Sequence, residues 1–305
     1  MKGWLIGCFH PHGPYPLLVF GGEQGTGKSS ACRMLKLLVD PTRAALRSQP
    51  KEPRDLMVAA NNSWLLCYDN FSHVPPWLSD ALCRISTGGG FGTRELYSDS
   101  EEKLFDAKRP ALLNGIPHLT SRPDLADRAI VVDLAPIPES QRATERVLMH
   151  RFRAMQPRLL GSVLDHVATA IQQYKHVQID ELPRMADFAF WATAGVGPDF
   201  LTAFREQRAN LGNLIFDEYP ICKPLVDLAR EHGTWTGSAT DLKTELELLS
   251  DIDSKQRKPD GWPKNPSALG TMVRQVAPDM RRHGVDIEFL KSRSSRQIQI
   301  SCDTV

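Results

Sequence analysis

Residues 17–30 read LLVFGGEQGTGKSS: four apolar residues, a glycine-rich turn, and a Lys-Ser-Ser start to an amphipathic segment that continues to Leu38. An apolar run bounded by turn residues reads as a buried strand, and the three-to-four spacing after it reads as a helix. Between them, Gly22 to Ser29 fits the pattern G-x-x-x-x-G-K-[ST]. In this strand–loop–helix setting the pattern is a phosphate cradle. Gly22, Gly25 and Gly27 lack the side chains that would block main-chain N–H groups from a phosphate. The helix N-terminus adds partial positive charge. Lys28 is placed to reach β- and γ-phosphates, and the Ser29 hydroxyl to ligate Mg²⁺. The expected ligands are therefore ATP and Mg²⁺, held by Gly22, Gly25, Thr26, Gly27, Lys28, Ser29 and Ser30.

Such a cradle needs a carboxylate from a neighbouring strand. The run Trp64 to Tyr68 ends at Asp69, which can hold Mg²⁺ through water. Asn70 follows, where many such ATPases carry a glutamate that polarises the attacking water. An amide orients water but takes no proton, so either another base acts or Asp69 does double duty. A third run, Ala111 to Leu113, ends at Asn114, whose amide can bond the γ-phosphate or the water. A fourth, Ala129 to Val132, follows Arg128. That arginine either projects into the next subunit's nucleotide, stabilising charge on the transferring phosphoryl group, or pairs at the surface with Asp124 or Asp127. Arg122 is the second candidate.

These short apolar runs, separated by helical segments, predict an α/β core with a parallel sheet up to about residue 137. From 138 to 215 the pattern is helical, with apolar residues at three-to-four spacing over 143–155, 158–173, 184–196 and 198–210. From 216 to 305 the order reads helix (Tyr219–His232), helix (Asp241–Leu249), helix (Pro266–His283, bent or split at Pro278) and hairpin (Val285–Phe289 and Gln297–Ile300). That is the order of a winged helix-turn-helix. Its last third is locally basic. Lys264, Arg274, Arg281, Arg282, Lys291, Arg293 and Arg296 outnumber Asp279, Asp286 and Glu288. Such a footprint predicts DNA phosphate contact by the third helix and the wing. The alternative is a protein-docking winged helix with a solvated basic face.

The whole chain carries a formal net charge of +1, so it is no polybasic binder and any DNA surface is local. No apolar run approaches the ~18 residues a membrane helix needs, and the first residues lack a secretory signal. The cysteines form no CxxC pair, which argues against a zinc ribbon and fits a reducing cytoplasm. His10 and His12 have no nearby partner cluster, so a metal role is not expected.

The order of parts resembles the superfamily 3 helicase-type ATPases, above all the primase-helicases of viruses, phages and plasmids and related ATPases of mobile elements. The likeness is carried by Ala81–Ser86, the turn Thr87–Gly89, the Arg-x-Leu-Tyr step Arg94–Tyr97, a hairpin through Asp106, Asn114 and the arginine-bearing turn that follows. It covers residues 15 to 135 well and the helical region loosely. The resemblance implies an AAA+-like P-loop fold with a helical lid, assembled as a hexameric ring around single-stranded or forked DNA. It implies a DNA helicase or translocase that replicates a mobile element. It also makes Arg94 a candidate contact to a neighbouring subunit's nucleotide or to DNA, and Lys103, Lys108 and Arg109 candidates for the pore-facing hairpin and its surroundings; a bland solvated hairpin is the alternative. Arg184, in the first turn of the expected helix at 184–196, resembles a lid arginine that senses the γ-phosphate. The alternative there is a surface pair with Asp187 or Glu181. Two departures stand out. Asn70 replaces the second acid, which favours a non-unwinding ATPase switch (an initiator, loader or regulator) as the rival function. The upstream primase or origin-binding domain of many relatives has no counterpart, so a separate primase or initiator is an expected partner and Met1 need not be the natural start.

Overall fold

The computed structural model of the chain describes residues 1–89, 107–115, 122–252, 259–291 and 296–302, with the main chain alone at 91–94 and 102–105. The chain forms two compact units, residues 1–120 with 124–208 and residues 121–123 with 209–305. The stretches expected as core and lid thus share one unit. The division between the units falls inside the helix Asp199–Glu218.

The first unit runs α1 (Lys2–Gly7), β1 (Leu17–Gly21), α2 (Lys28–Val39), α3 (Pro53–Asn62), β2 (Leu66–Phe71), α4 (Pro76–Thr87), β3 (Phe91–Arg94), β4 (Glu102–Phe105), β5 (Ala111–Gly115), α5 (Pro123–Ala126), β6 (Ala129–Asp133), α6 (Glu145–Gln173), α7 (Ala186–Val196) and the start of α8 (Asp199–Glu218). Four strands form a parallel sheet in the order β2-β5-β1-β6. β1 is central, with Leu18 opposite Leu112 on one side and Ile130 on the other. Beyond β2 a single parallel bridge, Arg47 to Tyr68, extends the sheet.

Every residue of β1 is buried. The period of two divides them between two layers. Leu17 and Val19 pack with Leu56 of α3, Leu82 of α4 and Leu113. Leu18 and Phe20 pack with Cys32 of α2, Phe188 of α7, Leu112 and Ile130. A strand covered on both faces reads as a continuous apolar run, which is how LLVF reads.

α2 carries a buried cation. Lys36 Nζ donates to Asp40 Oδ2 at 2.6 Å and to the Leu65 carbonyl at 2.8 Å. Asp40 Oδ2 also accepts the N–H groups of Trp64 and Leu65. Burial pushes the Asp40 carboxyl up, but these bonds outweigh it and hold it below the usual carboxylate range. The network ties the end of α2 to the start of β2.

Three expectations need correction. Residues 143–155 and 158–173 are one helix, α6, of 29 residues with Pro157 inside it. Pro157 is exposed, so the Arg153 carbonyl left without its intrahelical donor faces water rather than a core. The helix Pro266–Met280 likewise runs unsplit with Pro278 inside. α7 begins at Ala186, so Arg184 precedes the helix instead of sitting in its first turn. An antiparallel pair, Phe91 opposite Phe105 and Arg94 opposite Glu102, includes Arg94 in its first strand, whereas the hairpin was expected after the Arg94–Tyr97 step. Tyr97 and Asp106 lie outside the described residues.

The second unit continues with α9 (Cys222–His232), β7 (Thr234–Gly237), α10 (Ala239–Leu249), α11 (Pro266–Met280), β8 (Val285–Lys291) and β9 (Arg296–Cys302). The strands form an antiparallel sheet ordered β7-β9-β8. It has its own core, in which Leu225, Leu242, Leu246, Val273, Val276 and Ile300 meet. Ser238 and Asp241 cap α10 reciprocally, as the S-x-x-D spacing requires. Among the described residues no helix is long and apolar enough to cross a membrane.

Candidate functional site

The turn between β1 and α2 lines an open cavity of about 450 Å³ together with Asn70, Asn114 and Gly115. Gly22, Gly25 and Gly27 all adopt positive φ, at 121°, 85° and 80°. At Gly22 no other residue fits, because an added Cβ would stand 2.5 Å from the Leu134 carbonyl oxygen. Gly27 is the N-cap of α2 and offers no side-chain cap. The first N–H groups of any helix have no intrahelical acceptor. Here they open onto the cavity, a favourable place for an anion.

Lys28 Nζ lies across the loop, donating to the Gly22 carbonyl at 2.6 Å and the Glu23 carbonyl at 2.7 Å. Thr26 Oγ1 donates to the Glu23 carbonyl at 3.0 Å, closing the turn. Ser29 Oγ donates to Asp69 Oδ1 at 2.8 Å. This bond joins residues forty positions apart in sequence through two elements, the start of α2 and the end of β2. It places two hard oxygen donors side by side at the loop, a donor set suited to Mg²⁺.

The tip of β2 is reshaped to present Asp69 and Asn70. Tyr68 pairs with Leu113, yet Phe71 pairs with Gly115, so β2 carries one extra residue there. Asn70 takes φ 60° in this bulge, a conformation asparagine tolerates better than most residues. Its N–H donates to Asn114 Oδ1 at 2.9 Å, and Asn114 Nδ2 donates to Cys32 Sγ at 3.2 Å. Asn114 is buried, so its amide is held between the strand tip and α2. Apart from Asp69 beneath Ser29, the one carboxylate lining the cavity among the described residues is Glu23.

The expected arginines lie elsewhere. Arg128 Nη1 donates to the Asp124 carbonyl at 2.6 Å. Arg184 pairs with Asp127 at 3.2 Å, not with Asp187 or Glu181. Arg208 meets the same carboxylate at 2.9 Å. Sequence reading passed over Arg142. Its Nη2 is 3.8 Å from the position a Gly25 Cβ would take, and its Nε donates to the Ile137 carbonyl. Nothing local marks Arg142, since it comes from the segment after β6.

In the second unit Arg274 of α11 and Lys291 and Arg296 of the β8–β9 hairpin line one cavity of about 490 Å³. Among the described residues no carboxylate lines it. The Arg274 guanidinium sits 4.7 Å above the Phe289 ring, which fixes the cation at the mouth. Lys264 is exposed just before α11. Arg281 is engaged by Asp286 at 2.8 Å and Arg282 by Asp279 at 3.2 Å, so neither joins that cluster. Arg293 lies outside the described residues, as does the side chain of Arg94. In the first unit Lys108 Nζ donates to the His12 carbonyl at 3.2 Å and Arg109 Nε to the Ala60 carbonyl at 3.0 Å.

Two family models match the chain. Residues 1–217 match the actinomycete integrative conjugative element replication protein, RepA, and residues 221–304 match the RepA C-terminal domain. The chain belongs to this RepA family. It is therefore a replication protein of a mobile element. The family boundary at 217–221 falls just after α8. Among solved structures, the A form apo structure of the NrS-1 C-terminal region is similar at 14% identity and a TM-score of 0.42, covering 99% of this chain and 70% of that one. No curated protein matches the chain.

Proposed function

We propose that this RepA-family chain is an ATP-driven DNA helicase or translocase that acts in replication of its conjugative element. The observation that carries the reading is the Ser29–Asp69 bond of 2.8 Å at the foot of a glycine loop capped by Lys28. In this reading the loop N–H groups and the α2 N-terminus bind the phosphates of ATP. Lys28 exchanges its two carbonyl acceptors for phosphate oxygens. Ser29 and Asp69 hold Mg²⁺, which when bound neutralises charge on the transferring group. Asn114 and Asn70 orient the attacking water, and Asp69 takes its proton or passes it on. The parallel sheet with α6–α8 corresponds to an AAA+-like P-loop core and lid. α10, α11 and the β8–β9 hairpin correspond to a winged helix-turn-helix, whose Arg274, Lys291 and Arg296 hold the DNA backbone. A homo-oligomeric ring brings Arg128 to a neighbour's nucleotide and the β3–β4 hairpin to the strand. A separate primase or initiator completes the replication start.

A second reading is favoured by one observation. Asn70, not an acid, stands beside the cavity at the tip of β2. A chain without an efficient base would bind ATP, assemble on DNA and hydrolyse slowly, as a loader or initiator switch. The decisive experiment is ATP turnover with and without single-stranded DNA, together with displacement of one strand of a forked duplex. DNA-stimulated turnover with strand displacement, lost in Lys28→Ala and Arg128→Ala, sustains the motor. Tight ATP binding with neither turnover nor displacement assigns the switch. No ATP binding by the wild-type chain refutes both.

A further inference from the structure

The first unit holds a second cavity at the free edge of its parallel sheet, about 700 Å³ against the 450 Å³ of the loop cavity. It is walled by residues 47–52, the first turns of α3, and Tyr68 of β2. Its position follows from the topology. The sheet extends past β2 only by the Arg47–Tyr68 bridge, so the edge there is covered by a short stretch of chain instead of a full strand.

Three cations line this cavity: Arg47, Lys51 and Arg54. Arg47 is half-buried and its Nη2 donates to Ser63 Oγ at 3.1 Å. Lys51 and Arg54 are exposed. Two carboxylates, Glu52 and Asp55, also line it, but their oxygens already accept main-chain N–H groups at the start of α3. Asp55 Oδ2 takes the Lys51 N–H at 2.9 Å and the Glu52 N–H at 3.4 Å. The side-chain donors in the wall, the three cations with Ser48 and Gln49, are at least partly exposed, with one exception.

That exception is Tyr68. Its side chain is 2% exposed, and its hydroxyl has no hydrogen-bond partner among the described residues. A buried hydroxyl without an acceptor is costly, and native structures seldom keep one without a reason. Tyr68 belongs to the lining of the cavity. Val58, Ala59 and Pro50 supply an apolar wall beside it.

We propose that this cavity is a phosphate-ester site, in which Arg47, Lys51 and Arg54 neutralise the phosphate, the Tyr68 hydroxyl donates to one of its oxygens, and the apolar wall seats the organic part of the ester. Three cations against two carboxylates leave the mouth net positive and rich in donors, which suits a group with several acceptor oxygens. The volume is that of an ordinary small-ligand site. The phosphate comes either from a free nucleotide or from a nucleic-acid backbone.

The site is wired to the loop cavity. The Arg47 N–H donates to the Cys67 carbonyl, and the Arg47 carbonyl accepts the Asp69 N–H, each at 2.9 Å. Arg47 thus clamps the main chain on both sides of Tyr68, and Asp69 is the acceptor of the Ser29 hydroxyl. A ligand that pulls on Arg47 acts on the residue expected to hold the metal. This coupling rests on the nucleotide reading of Gly22–Ser29, whereas the binding itself does not.

The test uses the full chain carrying Lys28→Ala, which removes the cationic donor of the loop cavity. Adenosine 5′-monophosphate, an eight-residue thymidine oligonucleotide and unphosphorylated adenosine are titrated calorimetrically. Expected is binding of the monophosphate at one per chain and none of adenosine. Adding Tyr68→Phe, or Lys51→Ala with Arg54→Ala, weakens it about tenfold or more while thermal unfolding stays cooperative. The oligonucleotide arm is read only as the loss caused by Tyr68→Phe, because the second unit offers DNA another cationic cavity. A loss confined to the oligonucleotide assigns the phosphate to a DNA backbone, and a loss with the monophosphate assigns it to a free nucleotide. If neither probe is affected by Tyr68→Phe, or neither binds, the site is refuted. If the wild-type chain binds ATP no better than the Lys28→Ala chain while the latter still binds the monophosphate, the nucleotide reading of the loop falls and this site stands.

Discussion

The loop cavity of the first unit and the cationic cavity of the second are nearly the same size, about 450 and 490 Å³, and are made in opposite ways. The first is mostly main chain: glycines at positive φ, a helix N-terminus, and a lysine folded onto two carbonyls. The second is mostly side chains, brought from α11 and a hairpin and steadied by one cation–aromatic contact. A main-chain site needs particular residues in a fixed local order. A side-chain site needs only charge on surfaces that meet. The difference predicts that the first fails abruptly under single substitutions and that the second weakens by degrees.

The largest effect targets the support of the first site. Asp40→Ala leaves Lys36 buried with only the Leu65 carbonyl and strips an acceptor from the Trp64 and Leu65 amides. Removing one member of a buried pair costs about 3–5 kcal/mol. Calorimetry of this variant should show the first unit melting earlier, with the second, which has its own core, unchanged. The pH dependence has a defined sign. The folded Asp40 carboxyl lies below its ordinary value of about 3.9. Its contribution is therefore full above that value and disappears as pH falls through the lowered one. The wild-type and Asp40→Ala stabilities should converge only in strong acid. Constant separation down to that range would remove the ion pair from the account.

Lys28→Ala comes next. Loss of one donor aimed at developing charge costs roughly 10²–10³-fold in turnover, measured as phosphate release, with little change in folding because Lys28 bonds only loop carbonyls. A loss of less than tenfold would mean that the loop amides alone do the work.

Arg274→Ala tests the graded half of the comparison. One lost phosphate contact should lower the slope of log affinity against log salt by about one and weaken all DNA sequences alike. Arg281→Ala, whose guanidinium is already paired with Asp286, should change that slope less. Equal effects from the two would deny that the cavity selects among the basic residues.

The same contrast governs what could be read before the fold was known. The segment from β1 through α2 was legible because strand, turn and helix signals lie within one short window. Asp69 and Asn114 were legible because each ends an apolar run. The bulge that turns Asn70 toward Asn114 was not, since a bulge is set by registry with β5 and leaves no local mark. β7 was missed because Thr234–Gly237 is too short to declare a period and is a strand only by pairing with β9. Segments 143–155 and 158–173 were read apart although one helix runs through Pro157, because exposure, which the sequence does not give, decides whether a freed carbonyl is costly. Among seven basic residues in the last stretch, charge alone could not tell that Arg281 and Arg282 are spent on Asp286 and Asp279 while Arg274, Lys291 and Arg296 converge.

Arg142 is the smallest and most informative case, because it is a side chain brought to a main-chain site. Its guanidinium lies beside Gly25 but is well exposed, at 57%, and loosely paired with Glu139 at 3.6 Å. An exposed charge contributes about 0.2–1 kcal/mol. Arg142→Ala should therefore raise KM for ATP about two- to fivefold with kcat unchanged, the pattern of a group that binds ground and transition states equally. Arg142→Lys should restore most of the affinity if charge alone matters. A fall in kcat instead would place Arg142 at the phosphoryl group itself, and the first site would then share the side-chain construction of the second.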